Sequence, residues 1–558
     1  MTTGVREEHR AALRALPRAR WYRLPDALAL LAILAGVAYR LGLLLHATPP
    51  TNSDEATMGL AALHVAQGRE FPVWFYGQAY MGTLEAYLAA PLFALVGPST
   101  LTLRLPTLAL YAVFVLLAWR LAGRLTGDRW YALLVAVLLA SGSDRIVKNQ
   151  LIAGGGYPEM NAAGVALALL AYDLAAGRPG RGLPRWAVWG FLAGLMVWVD
   201  PLVLPYVAAA GAVLVAFRWR DLRGRAGALL GLGALAGAAP LLVDALASGR
   251  SPLAAVLAAG GAGEPAGWAE RLHGALVLGP ALGMGFCSPG RCAGWQLWWS
   301  AALPLLLIAA AVTAWRRLRA PTPPRGVPTV AGPGRLPDAA DGRPDEAGAA
   351  RPVGAALALA LVGAAVLTLA VYAASSASGR TPVESSRYLS CLLISVPVLL
   401  WPVWEAARRR SGRAGGARRV AAAAVLAATL GGAAVATGGA VSAAPAHRAA
   451  EDRHAGLVRA LRALDVRHVY GGYWTCNRLI FATGEEVLCA VVDDHLSPGH
   501  DRYRPYRRAV DADPRAAWVA PEGSPLATRL DAQPASRHTI PGWRIYLPAT
   551  RTTPPPGR

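Results

Sequence analysis

Asp54 and Glu55 stand side by side just beyond a long apolar block, in the stretch Thr51-Asn-Ser-Asp-Glu-Ala-Thr-Met-Gly-Leu. A carboxylate near a membrane surface can take a proton from a hydroxyl if it stays ionised and within hydrogen-bond reach. Behind the pair run Ala62-Leu-His-Val-Ala-Gln-Gly and then Phe71-Pro-Val-Trp-Phe-Tyr-Gly-Gln-Ala-Tyr-Met-Gly-Thr-Leu-Glu. Rings and glycines at that density suit a wall on which a sugar stacks, and Tyr76, Gln78, Tyr80 and Glu85 are the candidate contacts. The block 83–96 fits a helix resting in the membrane interface. A plainer role is equally open locally, since Asn52, Ser53 and Asp54 are good helix caps. His64 suits packing better than catalysis, because no nucleophile, histidine and acid set surrounds it.

The elements that must position these residues are apolar blocks. Over half of the 558 residues are apolar and 16% are charged, against about a quarter charged in a soluble domain. Ala and Leu dominate blocks that reach the roughly 20 residues needed to cross about 30 Å of hydrocarbon. They therefore read as helices and not as barrel strands. Spans are expected near 27–45, 101–122, 130–142, 159–176, 186–200, 202–217, 228–247, 296–314, 353–374, 388–404 and 420–441. The first block is long and lacks a small-residue cleavage site after it, so it reads as a retained span. The block 130–142 is short and runs into Ser143-Asp-Arg. Around Asp200-Pro201, one broken helix or two crossings both fit. Arg40, near the outer end of the first span, either faces the bundle or reaches outward, and Asp200 reads as a helix-end residue.

A formal charge of +21 raises the question of nucleic acid. The arginines lie in short segments between apolar blocks, however, and no basic face on a soluble domain is evident. With the N-terminus in the cytoplasm, the clusters Arg178/Arg181/Arg185, Arg218/Arg220/Arg223/Arg225, Arg316/Arg317/Arg319 and Arg408/Arg409/Arg410/Arg413 all fall on the inner side. The positive-inside rule favours that orientation. The expected organisation in the plasma membrane is a basic cytoplasmic N-terminus at 1–26 and a membrane module at 27–319 with its first outer loop at 46–100. A disordered cytoplasmic linker follows at 320–352, then late spans at 353–441 and an extracytoplasmic domain at 442–558.

That last region is less apolar. A helical pattern runs through Leu457, Leu461 and Leu464, strands are expected at 466–470, 486–492, 516–520 and 543–547, and Gly471-Gly472 reads as a turn. The order is that of a small α/β domain. Gly472-Tyr-Trp-Thr and Asp493-Asp-His are candidates for glycan contact, the latter also for a metal, though both equally suit an ordinary core and surface. Cys287 with Cys292, and Cys476 with Cys489, form local pairs that are either disulfides or free thiols, and Cys391 reads as packing. No zinc spacing occurs.

The acidic pair after the first span, followed by Gly77-Gln-Ala-Tyr-Met-Gly-Thr-Leu-Glu, resembles the GT-C superfamily of membrane glycosyltransferases. The nearest branch is that of bacterial relatives of dolichyl-phosphate-mannose protein mannosyltransferases and of the aminoarabinose transferase. The likeness is strongest over 50–110 and fades beyond about 300. It implies an all-α bundle of about eleven spans with an outer α/β domain, and transfer of a hexosyl or pentosyl group from a polyprenyl phosphate to a hydroxyl on a glycan, lipid or protein. It implies Asp54 as the base, and Glu55 as a neighbour that orients it, binds acceptor or assists a divalent cation such as Mg or Mn. No cofactor is required by the sequence.

A phosphate leaving group needs cations. Arg104, Lys148 and Arg387 are the candidates, with snorkelling or a salt bridge as the alternatives. The Arg387-Tyr388-Leu stretch resembles a late motif of the family. Glu159, after Gly154-Gly-Gly-Tyr-Pro, is either a second acid of the site or a residue favoured by the helix dipole. A transporter or flippase for a lipid-linked glycan is the competing class; it would want polar or broken helices at the membrane midplane.

Overall fold

The computed structural model describes residues 4–177, 182–249, 251, 254, 265–320, 344–409 and 413–548. The chain is a multi-pass membrane protein. Among the described residues, eight helices are long and apolar enough to span a bilayer, and ten spans result if two bent helix pairs each count as one. The linker expected at 320–352 falls mostly on residues outside this description, as do Arg178, Arg181 and Arg410.

Seven helices build the first half of the site: α1 (Gly4–Leu45), α2 (Ser53–Ala66), α3 (Leu84–Val96), α4 (Thr100–Thr126), α5 (Arg129–Ala140), α6 (Asp144–Leu151) and α7 (Tyr157–Ala175). Asn52 caps α2, its side chain accepting from the Glu55 amide at 2.9 Å. Ser99 caps α4 and Asp128 caps α5 in the same way. The short block expected at 130–142 is half of a broken element, because α5 turns by 90° into α6. Arg40 explains the bend. Its buried guanidinium donates to the carbonyls of Ala140 (2.9 Å) and Ser141 (3.3 Å) at the open end of α5, and to Gln150 Oε1 of α6 at 2.6 and 3.0 Å. It also lies 3.7 Å over the Tyr111 ring. Arg40 therefore faces the bundle and satisfies carbonyls that a helix end leaves without partners.

Helix α7 occupies the expected 159–176, but its first turns carry Glu159 and Asn161, both buried among protein. Asp200 sits between two separate spans, Gly182–Val199 and Pro201–Leu222. It caps the turn that begins the second of them, accepting from Leu202 N at 2.8 Å.

The helix Arg413–Ala463 runs for 51 residues. At 1.5 Å per residue it is about 75 Å long, more than twice the hydrocarbon thickness. The separate span and amphipathic helix expected here are one rod, and the expected boundary at 441/442 lies inside it. It feeds a five-stranded sheet of order β2-β1-β3-β5-β4. The strands are β1 (His468–Gly471), β2 (Leu488–Val491), β3 (Ala517–Pro521), β4 (Ala535–Ile540) and β5 (Trp543–Pro548). β1 pairs in parallel with β2 and β3, and β5 runs antiparallel to β3 and β4. Gly471-Gly472, expected as a turn, is the junction from β1 into the helix Tyr473–Ala482. Cys476 and Cys489 form a disulfide between that helix and β2, and Cys287–Cys292 is a second. Cys391 is a buried free thiol.

One apolar core joins α2, α3 and this domain: Ala56, Leu60 and Leu63 pack with Leu457, Leu479, Ile480 and Phe481. A Cβ on Gly59 would lie 2.7 Å from the Phe481 ring, so glycine is what lets the domain seat so closely.

Candidate active site

The first turn of α2 presents Asp54 and Glu55 about 100° apart around the helix axis, because each residue advances by that angle. They consequently enter different environments. Glu55 points inward and is fully buried. Arg104 grips it with two bonds, Nε to Oε1 at 2.6 Å and Nη2 to Oε2 at 2.5 Å, and spends Nη1 on the Pro49 carbonyl at 2.7 Å. Glu55, named as a neighbour that orients the base, binds acceptor or assists a cation, and Arg104, named for phosphate contact or snorkelling, meet each other here. They form a buried strut that fixes the first outer segment to α4. Bidentate charge-assisted geometry of this sort holds both groups firmly.

Asp54 points the other way and keeps 24% of its side chain exposed. Its Oδ1 accepts from Tyr473 Oη at 2.5 Å and Arg502 Nη2 at 3.0 Å, both from the C-terminal domain. No hydrogen bond from the described residues falls on Oδ2. Burial first, and the Asp54 carboxylate next, hold the Tyr473 hydroxyl above its ordinary range, so it stays protonated as a donor.

Facing this carboxylate is a group of cations. Arg387 and Tyr388 lie at the start of the late span Pro382–Arg408, and Arg387 lies near the Asp54 carboxylate and the Tyr157 hydroxyl. Lys148 comes from α6 and lies near Arg387 and Arg145. Arg145 is buried and donates to the carbonyls of Val383 and Glu384 at 2.5 and 2.6 Å, tying α6 to the segment before Arg387. Arg387 Nε is buried without a hydrogen-bond partner. Among the described residues, none of Arg145, Lys148 and Arg387 has a carboxylate within ion-pair distance. Three like charges gathered without counter-ions cost free energy unless an anion joins them.

The loop Gly154-Gly-Gly closes the floor. Gly154 has φ +124°, and a Cβ there would stand 3.3 Å from the Asp54 carbonyl oxygen. Its N–H donates to Glu85 Oε2 at 2.6 Å. Glu85 is buried, and burial first, then the neighbouring Glu159 carboxylate, push its carboxyl well above the usual range. Glu85 therefore holds this loop through Gly154, and Glu159 lies buried beside it with neither carboxylate oxygen hydrogen-bonded among the described residues. Tyr80 stays half-buried at the site's edge, beside Tyr388, Arg502, Arg387 and Asp200.

Tyr76 is elsewhere. Its hydroxyl donates to Glu70 Oε2 at 2.8 Å and meets His64 Nδ1 at 2.7 Å, and its ring tilts on Tyr503 at 4.9 Å. It belongs to the seam with the C-terminal domain, where His64 also meets Glu485 at 3.1 Å. Burial would raise Glu485, but contacts with His64, Arg69 and Tyr506 outweigh it and bring the carboxyl down to about 2. Gln78 contributes its backbone N–H to a turn on Phe75 at 2.9 Å. Asp493 caps a turn through the amides of His495 and Ser497 at 2.9 and 2.8 Å. Among the described residues no three His, Cys, Asp or Glu side chains gather as a metal site. With Arg502 on Asp54 and Arg104 on Glu55, the acidic pair is not set up as one.

Sequence reasoning missed Arg145, Tyr157, Tyr473 and Arg502. Tyr473 lay within a stretch singled out for its aromatics, but nothing local linked it to Asp54.

No family model matches the chain, and no curated protein matches it by sequence. Solved structures do. Apo ArnT from Cupriavidus metallidurans superposes at TM-score 0.53 with 12% identity, over 97% of this chain and 100% of that one. The same protein bound to undecaprenyl phosphate gives 0.53 with 14% identity, over 96% and 99%. The apo oligosaccharyltransferase of Archaeoglobus fulgidus gives 0.50 with 12% identity, over 96% of this chain and 75% of that one. The chain therefore shares its fold with these structures over nearly its whole length.

Proposed function

We propose that this protein is an inverting glycosyltransferase that moves a sugar from a polyprenyl phosphate to a hydroxyl acceptor, with Asp54 as general base. One observation supports the reading: a carboxylate with one oxygen held and the other open lies near Arg387, which gathers with Lys148 and Arg145, and among the described residues none of the three has a carboxylate within ion-pair distance. The acceptor hydroxyl gives its proton to Asp54 Oδ2 as its oxygen bonds to the anomeric carbon. The bond from that carbon to the phosphate oxygen breaks, and its electron pair departs with the polyprenyl phosphate. A direct displacement inverts the anomeric centre. Arg387, Lys148 and Arg145 stabilise the charge that grows on the leaving phosphate. The ligand in the ArnT complex, undecaprenyl phosphate, is a lipid of the required chemistry.

Arginine placement supports a cytoplasmic N-terminus, so Asp54, one span later, lies on the extracytoplasmic face, and the C-terminal domain lies with it because Tyr473 and Arg502 bond to Asp54. The acceptor is a cell-envelope glycan, lipid or protein met at that face. The 90° break between α5 and α6 is a feature a transporter would share. Here it is filled by Arg40 and delivers Lys148 to the cation group, which favours the enzyme.

Mass spectrometry of cell-envelope glycans with and without the gene tests the reading directly, since a lost product names both donor sugar and acceptor. An unchanged glycan profile counts against it. At the level of the site, Arg387→Ala and Lys148→Ala should each weaken undecaprenyl phosphate binding by roughly 10- to 100-fold. A charge-assisted contact contributes about 1.5–3 kcal/mol. Thermal shift on titrating undecaprenyl phosphate into the detergent-solubilised protein measures this. Wild-type affinity in both variants would remove the phosphate cradle.

A further inference from the structure

We infer that Arg502 and Tyr473 are positioning residues for Asp54, which makes the C-terminal domain a working part of the active site. This rests on the reading of Asp54 as the base.

Three groups close a triangle across more than 400 residues of chain. Tyr473 Oη and Arg502 Nη2 both donate to Asp54 Oδ1, and Arg502 Nε donates to Tyr473 Oη at 2.8 Å. All of this falls on one carboxylate oxygen. A general base needs one oxygen free to receive a proton and the other fixed so that the free one points at the incoming hydroxyl. An aspartate that merely capped its helix would aim at the amides of its own first turn, and here Asn52 already serves that end.

The donors are themselves held in place. The Arg502 guanidinium lies 4.9 Å over the Phe75 ring of the first outer loop and 5.6 Å from the Tyr473 ring, with only 9% of the side chain exposed. The helix Tyr473–Ala482 grips the first turns of α2 on both sides of Asp54. Ser53 Oγ donates to the Tyr473 carbonyl, and Asn477 Nδ2 donates to Thr57 Oγ1 at 2.9 Å. Packing of Phe481 on Gly59 fixes the spacing. A side chain is preorganised only when its supports are themselves locked, and each link here is.

The same geometry separates positioning from stability. Asp54 is a quarter exposed, and a partly exposed ion pair contributes little to folding. The apolar seam remains when Arg502 is neutralised. Loss of aim, by contrast, costs turnover steeply, since displacement of a reacting group by about 1 Å lowers a rate on the order of 100-fold.

The test compares R502Q, R502K, Y473F and D54N in the full-length protein. Product is followed by mass spectrometry in membranes from a strain lacking the gene, and lipid affinity is measured with undecaprenyl phosphate. R502Q should lower turnover by about 10- to 100-fold while the KM for acceptor and the affinity for undecaprenyl phosphate stay within about twofold. R502K should recover most of the loss, because a cation is restored. Y473F keeps the ring and removes the donor, and should lose several-fold in turnover with unchanged thermal unfolding. Wild-type turnover in R502Q beside an inactive D54N overturns the positioning role alone. Wild-type turnover in D54N overturns the general-base reading instead. If R502Q does not accumulate as folded protein, Y473F decides the matter, and full activity there overturns the inference.

Discussion

Asp54→Asn should lower sugar transfer by about 10²- to 10⁴-fold, the range a positioned general base supplies, and leave nearly everything else intact. The substitution keeps the shape of the side chain. The amide oxygen can still accept from Tyr473 and Arg502, whose bonds fall on one oxygen of the native group. The amide nitrogen then occupies the open position and has no lone pair for the acceptor's proton. Folding, docking of the C-terminal domain and undecaprenyl phosphate binding should therefore match wild type, and only the product should vanish. The measurement is product yield in complemented membranes, beside a thermal unfolding curve. Normal yield would show that the proton goes elsewhere.

Glu55→Gln should fail for a different reason. Arg104 is 2% exposed, and its two bonds to Glu55 supply its only carboxylate among the described residues. Removing one partner of a buried ion pair leaves an uncompensated charge and costs about 3–5 kcal/mol. Native stabilities are about 5–15 kcal/mol in total, so E55Q should unfold at much lower temperature and accumulate poorly. Neutralising both partners in E55Q/R104Q should recover part of the loss, since amide pairs satisfy each other without a stranded charge. A folded but inactive E55Q would reverse this assignment and return Glu55 to the chemistry. Adjacent acids thus give opposite phenotypes, one catalytic and one structural.

That contrast marks how far the sequence could be read. The apolar blocks located most of the spans, because crossing about 30 Å of hydrocarbon demands a length and composition that chemistry cannot disguise, but of eleven expected, eight are long and apolar enough among the described residues, or ten with the bent pairs. Asp54, Lys148 and Arg387 stood out because charges at membrane edges are costly and therefore conspicuous, and Tyr388 because its stretch resembles a late family motif. Glu55 and Arg104 did not reveal each other. A residue's type says that it needs a partner but not which way the helix faces, and α2 is turned by its packing on the C-terminal domain. Glu85 and Tyr76 show the same limit, since acids and rings that line a cleft look like those that bond to a loop or a seam. Arg502 lay furthest from view, because its partner is 448 residues away and no local periodicity connects them. β4 was missed because its residues are mostly exposed, so the apolar alternation that announces a strand is absent.

The helix Arg413–Ala463 bears a constraint of another kind. It works as a mast rooted in the lipid with the sheet at its top, while the crown is also moored to α2. One extra residue anywhere along it would swing the crown by about 100° and lift it by about 1.5 Å. Tyr473 and Arg502 would then swing away from Asp54. Its alanines and glycines can be exchanged for other small residues at little expense, whereas the number of residues between lipid and sheet has to be kept.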